Sequence, residues 1–102
     1  MPIDVDKVVG AELPGDVAEW TEDQVILYHL GVGAGVPPTD PGELDYTYET
    51  RLKVLPSFGV IPVFRSLGGI VGLEGLQFNP MMLLHGEQDL EVHKPIPTRA
   101  KV

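Results

Sequence analysis

The stretch "SFGVIPVFRSLGG", residues 57–69, constrains this chain more than any other. Phe58, Val60, Ile61, Val63, Phe64 and Leu67 leave almost no polar side beyond Arg65 and Ser66, and a segment apolar on nearly every side has to be enclosed by the rest of a fold. Pro62 is tolerated in the first turn of a helix, where its missing N–H would have had no partner, but kinks a helix at any later position. The pattern therefore predicts a short enclosed helix within 57–67, stopped at Gly68–Gly69. Only 102 residues are available to enclose it. That length makes one domain, burying roughly 60 to 65% of its unfolded surface, and leaves no room for a second. With 43% apolar and 22% charged residues, disorder of the whole chain is excluded, and with Trp20 as its single tryptophan the core is expected to be mostly aliphatic.

Charge narrows the partners. Fifteen acidic residues against seven basic ones give a formal charge of −8, which repels the phosphate backbone on which nucleic-acid affinity rests. A phosphate-bearing small molecule would need a local cluster drawn from Arg51, Lys53, Arg65, Lys94, Arg99 and Lys101. The absence of cysteine excludes disulfides, thiolate metal sites and a thiol nucleophile. "MPIDVDKVVG" lacks the basic and apolar regions of a secretion signal, and no apolar run reaches the roughly 18 residues that cross a bilayer. A soluble cytoplasmic protein with no membrane partner is expected.

Residues 1–19 read as an extended lead-in with one short edge strand. In "WTEDQVILYHLGVGAG", Thr21 and Gln24 have capping-box spacing, Glu22 and Asp23 suit the positive end of a helix dipole, and Val25, Ile26, Tyr28, His29 and Val32 follow at helical spacing. Gly31, Gly33 and Gly35 end that helix; because they close it instead of preceding it, they are not a dinucleotide fingerprint. "LDYTYETRLKVLP" alternates Leu44, Tyr46 and Tyr48 against Asp45, Thr47 and Glu49, which predicts a strand over 44–54. "PTRAKV" reads as the start of another strand.

"LLHGEQDLEVHKPIP", residues 83–97, also alternates, with Leu84, Gly86, Gln88, Leu90 and Val92 on one side and His85, Glu87, Asp89, Glu91 and His93 on the other. A strand over 83–93 is predicted, ended by Pro95 and Pro97. His85 and Glu87 would then share a face, close enough for an acid–base pair. A zinc site would need three or four convergent ligands, and the third histidine, His29, lies on another element. No metal is expected, and a polar strand surface is favoured over a reaction centre.

The segments "WTEDQVILYHLGVGAG", "DPGELDYTYE", "LKVLPSFGVIPVF" and "LLHGEQDLEVHKPIP" together resemble the N-terminal half of the MaoC-like (R)-specific 2-enoyl-CoA hydratases, the hydratase 2 class, in the same order and over nearly all the chain after about residue 15. The resemblance implies an α+β hot-dog fold, an antiparallel sheet around a short central helix, with about three further strands expected after Val102. It implies a non-catalytic N-terminal domain over 1–102, paired with a second, catalytic hot dog whose Gly-Asp-x-Asn-Pro-x-His motif is missing here. No catalytic residue and no cofactor is therefore expected in this chain, and the chain alone is expected to be inactive.

Further implications concern particular residues. Tyr28 and Glu49 match positions tied to integrity or substrate placement, with helix-core packing and a paired carboxylate as their plainer readings. Phe58 and Phe64 belong to the segment expected to line an acyl tunnel or pack the core, and His85 and Glu87 lie in the matching "HGEQ". The expected partners are a 2-enoyl-CoA substrate and a catalytic hot dog, within a homo- or hetero-oligomer, in fatty-acid or sterol side-chain metabolism. The rival readings are a non-catalytic acyl-CoA-binding or assembly module and a hot-dog thioesterase using His85 or Glu87.

Overall fold

The computed structural model describes residues 3–102. In chain order its elements are α1 (Val5–Val8), β1 (Glu19–Trp20), α2 (Glu22–Gly31), α3 (Pro41–Thr47), α4 (Val60–Leu67) and β2 (Ala100–Lys101), with short 3-10 turns at Glu49–Arg51, Pro56–Gly59, Gly68–Ile70 and Pro80–Met82. The result is a small mixture of helices with one two-stranded antiparallel sheet. Contacts divide the chain into two compact units, one made of Val17–Pro62 with Leu90–Val102, the other of the residues up to Asp16 with Val63–Asp89.

In the larger unit α2 begins as its sequence predicts. The Thr21 side chain accepts from the Gln24 main-chain N–H while Gln24 Oε1 accepts from Thr21 N at 2.7 Å, so two otherwise orphaned amides are satisfied reciprocally. Val25 and His29, one helical turn apart, then face inward. Val25 meets Trp20 from β1 and Phe58 from the 3-10 turn ahead of α4, and Leu52, Val54, Ile96 and Ala100 pack against that cluster. The last residues do form a strand: Glu19 pairs with Lys101 and Trp20 with Ala100, and reciprocal 2.8 Å bonds between Ala18 and Val102 extend the ladder.

The strand expected over 44–54 is a helix and a 3-10 turn. Asp40 ends in an extended conformation and its Oδ1 accepts from Gly42 N at 2.8 Å and Glu43 N at 3.2 Å, while Pro41 supplies a preset φ at the first helical position. That start signal overrides the period-two pattern downstream, and Tyr48 N–H closes the last turn onto Leu44 O. Asp40→Ala is expected to cost about 1 kcal/mol, within the 0.5 to 2 kcal/mol typical of lost N-caps, and thermal unfolding of the variant measures it.

The strand expected over 83–93 is also absent. Residues 83–92 lie outside helix, strand, turn and bend, because an alternating sequence becomes a strand only with a ladder beside it, and none of the described residues supplies one.

Helix α4 does form where predicted, and Pro62 falls in its first turn. Its expected enclosure holds for Phe58, 1% exposed in the preceding turn, and fails along the helix itself. Phe64 is 72% exposed and Ile61, Val63 and Leu67 are also exposed, since the helix turns Pro62 and Ser66 inward and leaves its bulkier apolar side chains outside.

In the smaller unit α1 is tied to a distant turn. Asp4 N–H donates to Gly75 O at 2.8 Å beside an isolated antiparallel bridge between Ile3 and Leu76. Gly75 has φ +89°, and a Cβ there would lie 2.8 Å from Lys7 Cβ, so only glycine fits this approach.

Candidate functional site

The best-built polar arrangement centres on His29, which is fully buried. Its Nδ1 lies 2.7 Å from Tyr46 O and its Nε2 lies 3.0 Å from Leu55 N. A main-chain N–H can only donate and a carbonyl can only accept, so the ring carries its proton on Nδ1, donating to Tyr46 and accepting from Leu55. One imidazole thus pins α2 to α3 and to the segment leading into Phe58. Both ring nitrogens are committed, and the group has no free position with which to do chemistry.

Tyr28, next on α2, donates its hydroxyl to Ser57 Oγ at 2.9 Å and sets its ring edge against Phe58, centroids 5.5 Å apart. Phe58 in turn meets Trp20 edge-on at 5.8 Å, and Trp20 Nε1 donates to Pro97 O at 2.8 Å. Tyr28 and Phe58 are therefore held by packing contacts within the larger unit.

Beside this core is an open groove of about 350 Å³, with apolar walls from Val54, Pro56, Val92 and Ile96, and with His93 and Lys94 on its polar side. Leu55 N–H bonded to His29 positions one wall. On the other, Leu90 and Ile96 come as close to Gly59 as a side chain there would allow. His93 Nδ1 is 3.7 Å from Glu91 Oε1. Such a cleft can take an apolar chain next to an anionic group; the residues around it do not form an acid–base pair aimed into it.

Of the other nominated residues, Glu49 is exposed at the start of its 3-10 turn, and among the described residues no ion pair holds it; Arg51 and Lys53 pair instead with Asp45, at 3.9 and 3.3 Å. Its plainer reading as a paired carboxylate at a strand end is thereby corrected. Phe64, His85 and Glu87 are all exposed and belong to the smaller unit, whereas Tyr28, Glu49 and Phe58 belong to the larger. No hydrogen bond joins His85 to Glu87 among the described residues, and there no three of His, Asp and Glu converge on a metal position. No described helix is long and apolar enough to cross a membrane.

Sequence reasoning missed His29 as the organising group, although its place four residues after Val25 on the inward stripe was a usable signal. It also missed Arg99, whose Nε and Nη2 donate to Glu22 Oε2 at 3.1 and 2.9 Å across 77 residues. The hydrogen bond from Arg99 holds the Glu22 carboxyl below the usual carboxylate range, and the same bond raises the guanidinium. A depressed folded-state value adds stability above the ordinary carboxylate range, and that contribution is lost as pH falls through the lowered value. Glu22→Gln is expected to make Tm fall less steeply on acidification, as read from thermal melts across the acid range.

Residues 19–102 match the MFE-2 hydratase 2 N-terminal domain family. Peroxisomal multifunctional enzyme type 2 of Mus musculus is 45% identical over 93 residues, which is 87% of this chain and 12% of that protein. Enoyl-CoA hydratase ChsH3 of Mycobacterium tuberculosis is 38% identical over 99 residues, 95% of this chain and 35% of the relative. Peroxisomal enoyl-CoA hydratase 2 of Arabidopsis thaliana is 32% identical over 102 residues, again 95% of this chain and 33% of the relative. The chain thus spans about a third or less of the length of these relatives.

Proposed function

The chain belongs to the MFE-2 hydratase 2 N-terminal domain family, the N-terminal region of MaoC-like hydratases, and from that premise we propose that it is the acyl-pocket and structural portion of a 2-enoyl-CoA hydratase. The observation that supports this most is the match over residues 19–102, with relatives named as enoyl-CoA hydratases that align along 95% of the chain. In this reading residues 1–102 are a non-catalytic hot-dog domain, and the substrate is a 2-enoyl-CoA of fatty-acid or sterol side-chain metabolism. Phe64 serves the acyl pocket, Tyr28 and Phe58 the packing of the domain, Glu49 the placement of substrate, and His85 and Glu87 a surface facing a catalytic hot dog. The compartment read from sequence is the cytoplasm; two of the relatives carry "peroxisomal" in their names.

Hydration of an enoyl thioester adds water across the double bond, and it needs a base for the water and donors for the thioester oxygen. The only Asn-Pro here, in "FNPMMLLH", has no preceding Gly-Asp, so this chain alone is expected to have no hydratase activity. Co-expression with a catalytic hot-dog partner should raise turnover of 2-enoyl-CoA, above all of long-chain substrates, over that of the partner alone. An unchanged rate for every chain length would defeat the proposal.

The apolar groove keeps a second reading in play, a binding module without chemistry. Calorimetry separates the two ligand classes: affinity that rises with acyl length supports a pocket, and equal silence toward CoA and acyl-CoA supports a scaffold.

A further inference from the structure

A positive charge has no place around His29. The ring is fully buried, with Nδ1 donating to Tyr46 O at 2.7 Å and Nε2 accepting from Leu55 N at 3.0 Å. A second proton would sit on Nε2 and point at the Leu55 N–H, so two donors would meet with no acceptor between them. Turning the ring over does not help, because both nitrogens of an imidazolium donate and the Leu55 amide can only donate. The groups packed against the ring offer no compensating charge. Tyr46 from α3 and Tyr28 from α2 lie T-shaped to it, with centroids 5.4 and 6.2 Å away, and phenols are uncharged near neutrality. Of the charged groups on these elements, Asp23 is exposed in the first turn of α2, Glu22 is held by Arg99, Glu43 accepts from Gly35 N at 2.8 Å, and Asp45 pairs with Arg51 and Lys53. Among the described residues no carboxylate forms an ion pair with His29.

We propose that His29 is a proton-operated latch on residues 52–58: acidification charges the ring, breaks its bond to Leu55 and frees that segment, while the bond to Tyr46 keeps α3 in place. Leu55 stands between Val54 and Pro56, which form one wall of the apolar groove, so the latch sets whether that wall is closed. Opening lets water reach the charged ring, whereas the closed segment leaves it no second acceptor. Opening therefore takes up one proton, and the closed state, favoured at higher pH, loses ground as pH falls, by at most about tenfold per pH unit. Both partners of the ring lie inside this chain, so the latch rests neither on the hydratase reading nor on a further domain.

Hydrogen exchange of main-chain amides, followed by NMR from about pH 8 to about pH 5, covers the range in which histidines change charge. Protection at Leu55, corrected for the intrinsic pH dependence of exchange, should fall by up to about tenfold per pH unit, in step with the nitrogen shifts of the His29 ring. Val25, bonded to Thr21 O, and Tyr48, bonded to Leu44 O, should keep their protection, because the release is local. His29→Gln keeps an acceptor for Leu55 but takes up no proton, and should remove the pH dependence. His93→Gln, at the exposed histidine of the groove, should leave it intact. Far-ultraviolet dichroism and Trp20 emission show whether each variant keeps its fold. Leu55 protection that stays flat over this range in the parent overturns the proposal, as does protection lost together with that of Val25 and Tyr48. A folded His29→Gln variant with the parent's pH dependence does the same.

Discussion

Replacing His29 with alanine is expected to cost about 3 to 5 kcal/mol, since it strips two part-buried main-chain groups of their partners at roughly 1 to 3 kcal/mol each and leaves a void as well. The imidazole is fully buried between Tyr46 O and Leu55 N, and no other group reaches either atom among the described residues. Single domains are stable by about 5 to 15 kcal/mol, so a large share of the fold's margin depends on one side chain. The contact directions make the test sharper than a melting curve. The longer amide of His29→Gln would place a carbonyl oxygen near the position of Nε2 and keep the Leu55 bond, whereas the shorter amide of His29→Asn would place a nitrogen near that of Nδ1 and keep the Tyr46 bond. His29→Gln should therefore retain hydrogen-exchange protection at the Leu55 amide that His29→Asn and His29→Ala lose. Equal protection in all three would mean that the ring does not hold Leu55.

Phe58→Ala is expected to cost a similar amount, about 3 to 5 kcal/mol, for the lost transfer energy of a large ring and the cavity it leaves. Phe58 is 1% exposed and takes ring-edge contacts from Trp20 and Tyr28, so its removal unpacks both aromatic neighbours at once. Phe58→Leu keeps most of the volume and should cost under about 1.5 kcal/mol if its neighbours repack. Urea titration followed by Trp20 emission measures both, because the single tryptophan is itself part of the cluster. An alanine variant within about 1 kcal/mol of the parent would show that the fold is not centred on this ring.

The contrast between α2 and the two missing strands shows what local sequence can carry. Thr21 and Gln24 satisfy each other's amides within four residues, so that start is legible from spacing alone. The same holds for Pro62, whose ring chemistry confines it to the first turn of α4. Residues 44–54 misled because Leu44, Tyr46 and Tyr48 alternate, while the deciding signal, Asp40 with Pro41, lies upstream of the pattern. Residues 83–93 misled for another reason: a strand is a relation between two segments, and period two describes only one of them.

The candidate site divides in the same way. That Tyr28 packs in the helix core was legible from its spacing; that His29 would find Tyr46 O and Leu55 N was not, because those acceptors and donors come from turns whose course no periodicity records. The outward side of Phe64 was equally hidden. A continuous apolar run says that burial is wanted and is silent on which side of the helix obtains it.

The ladder between Trp20 and Ala100 has a consequence in time. Its two strands are separated by some eighty positions, and the indole's bond to Pro97 and the Glu22–Arg99 fork span 77 each. Helix α2 can nucleate on its own within microseconds, but these long closures wait on diffusion of the chain across that whole span. During synthesis the tryptophan emerges long before its carbonyl partner and stays without it until residue 97 has left the ribosome. For that interval the nascent polypeptide presents an uncovered indole, the kind of surface that chaperones recognise.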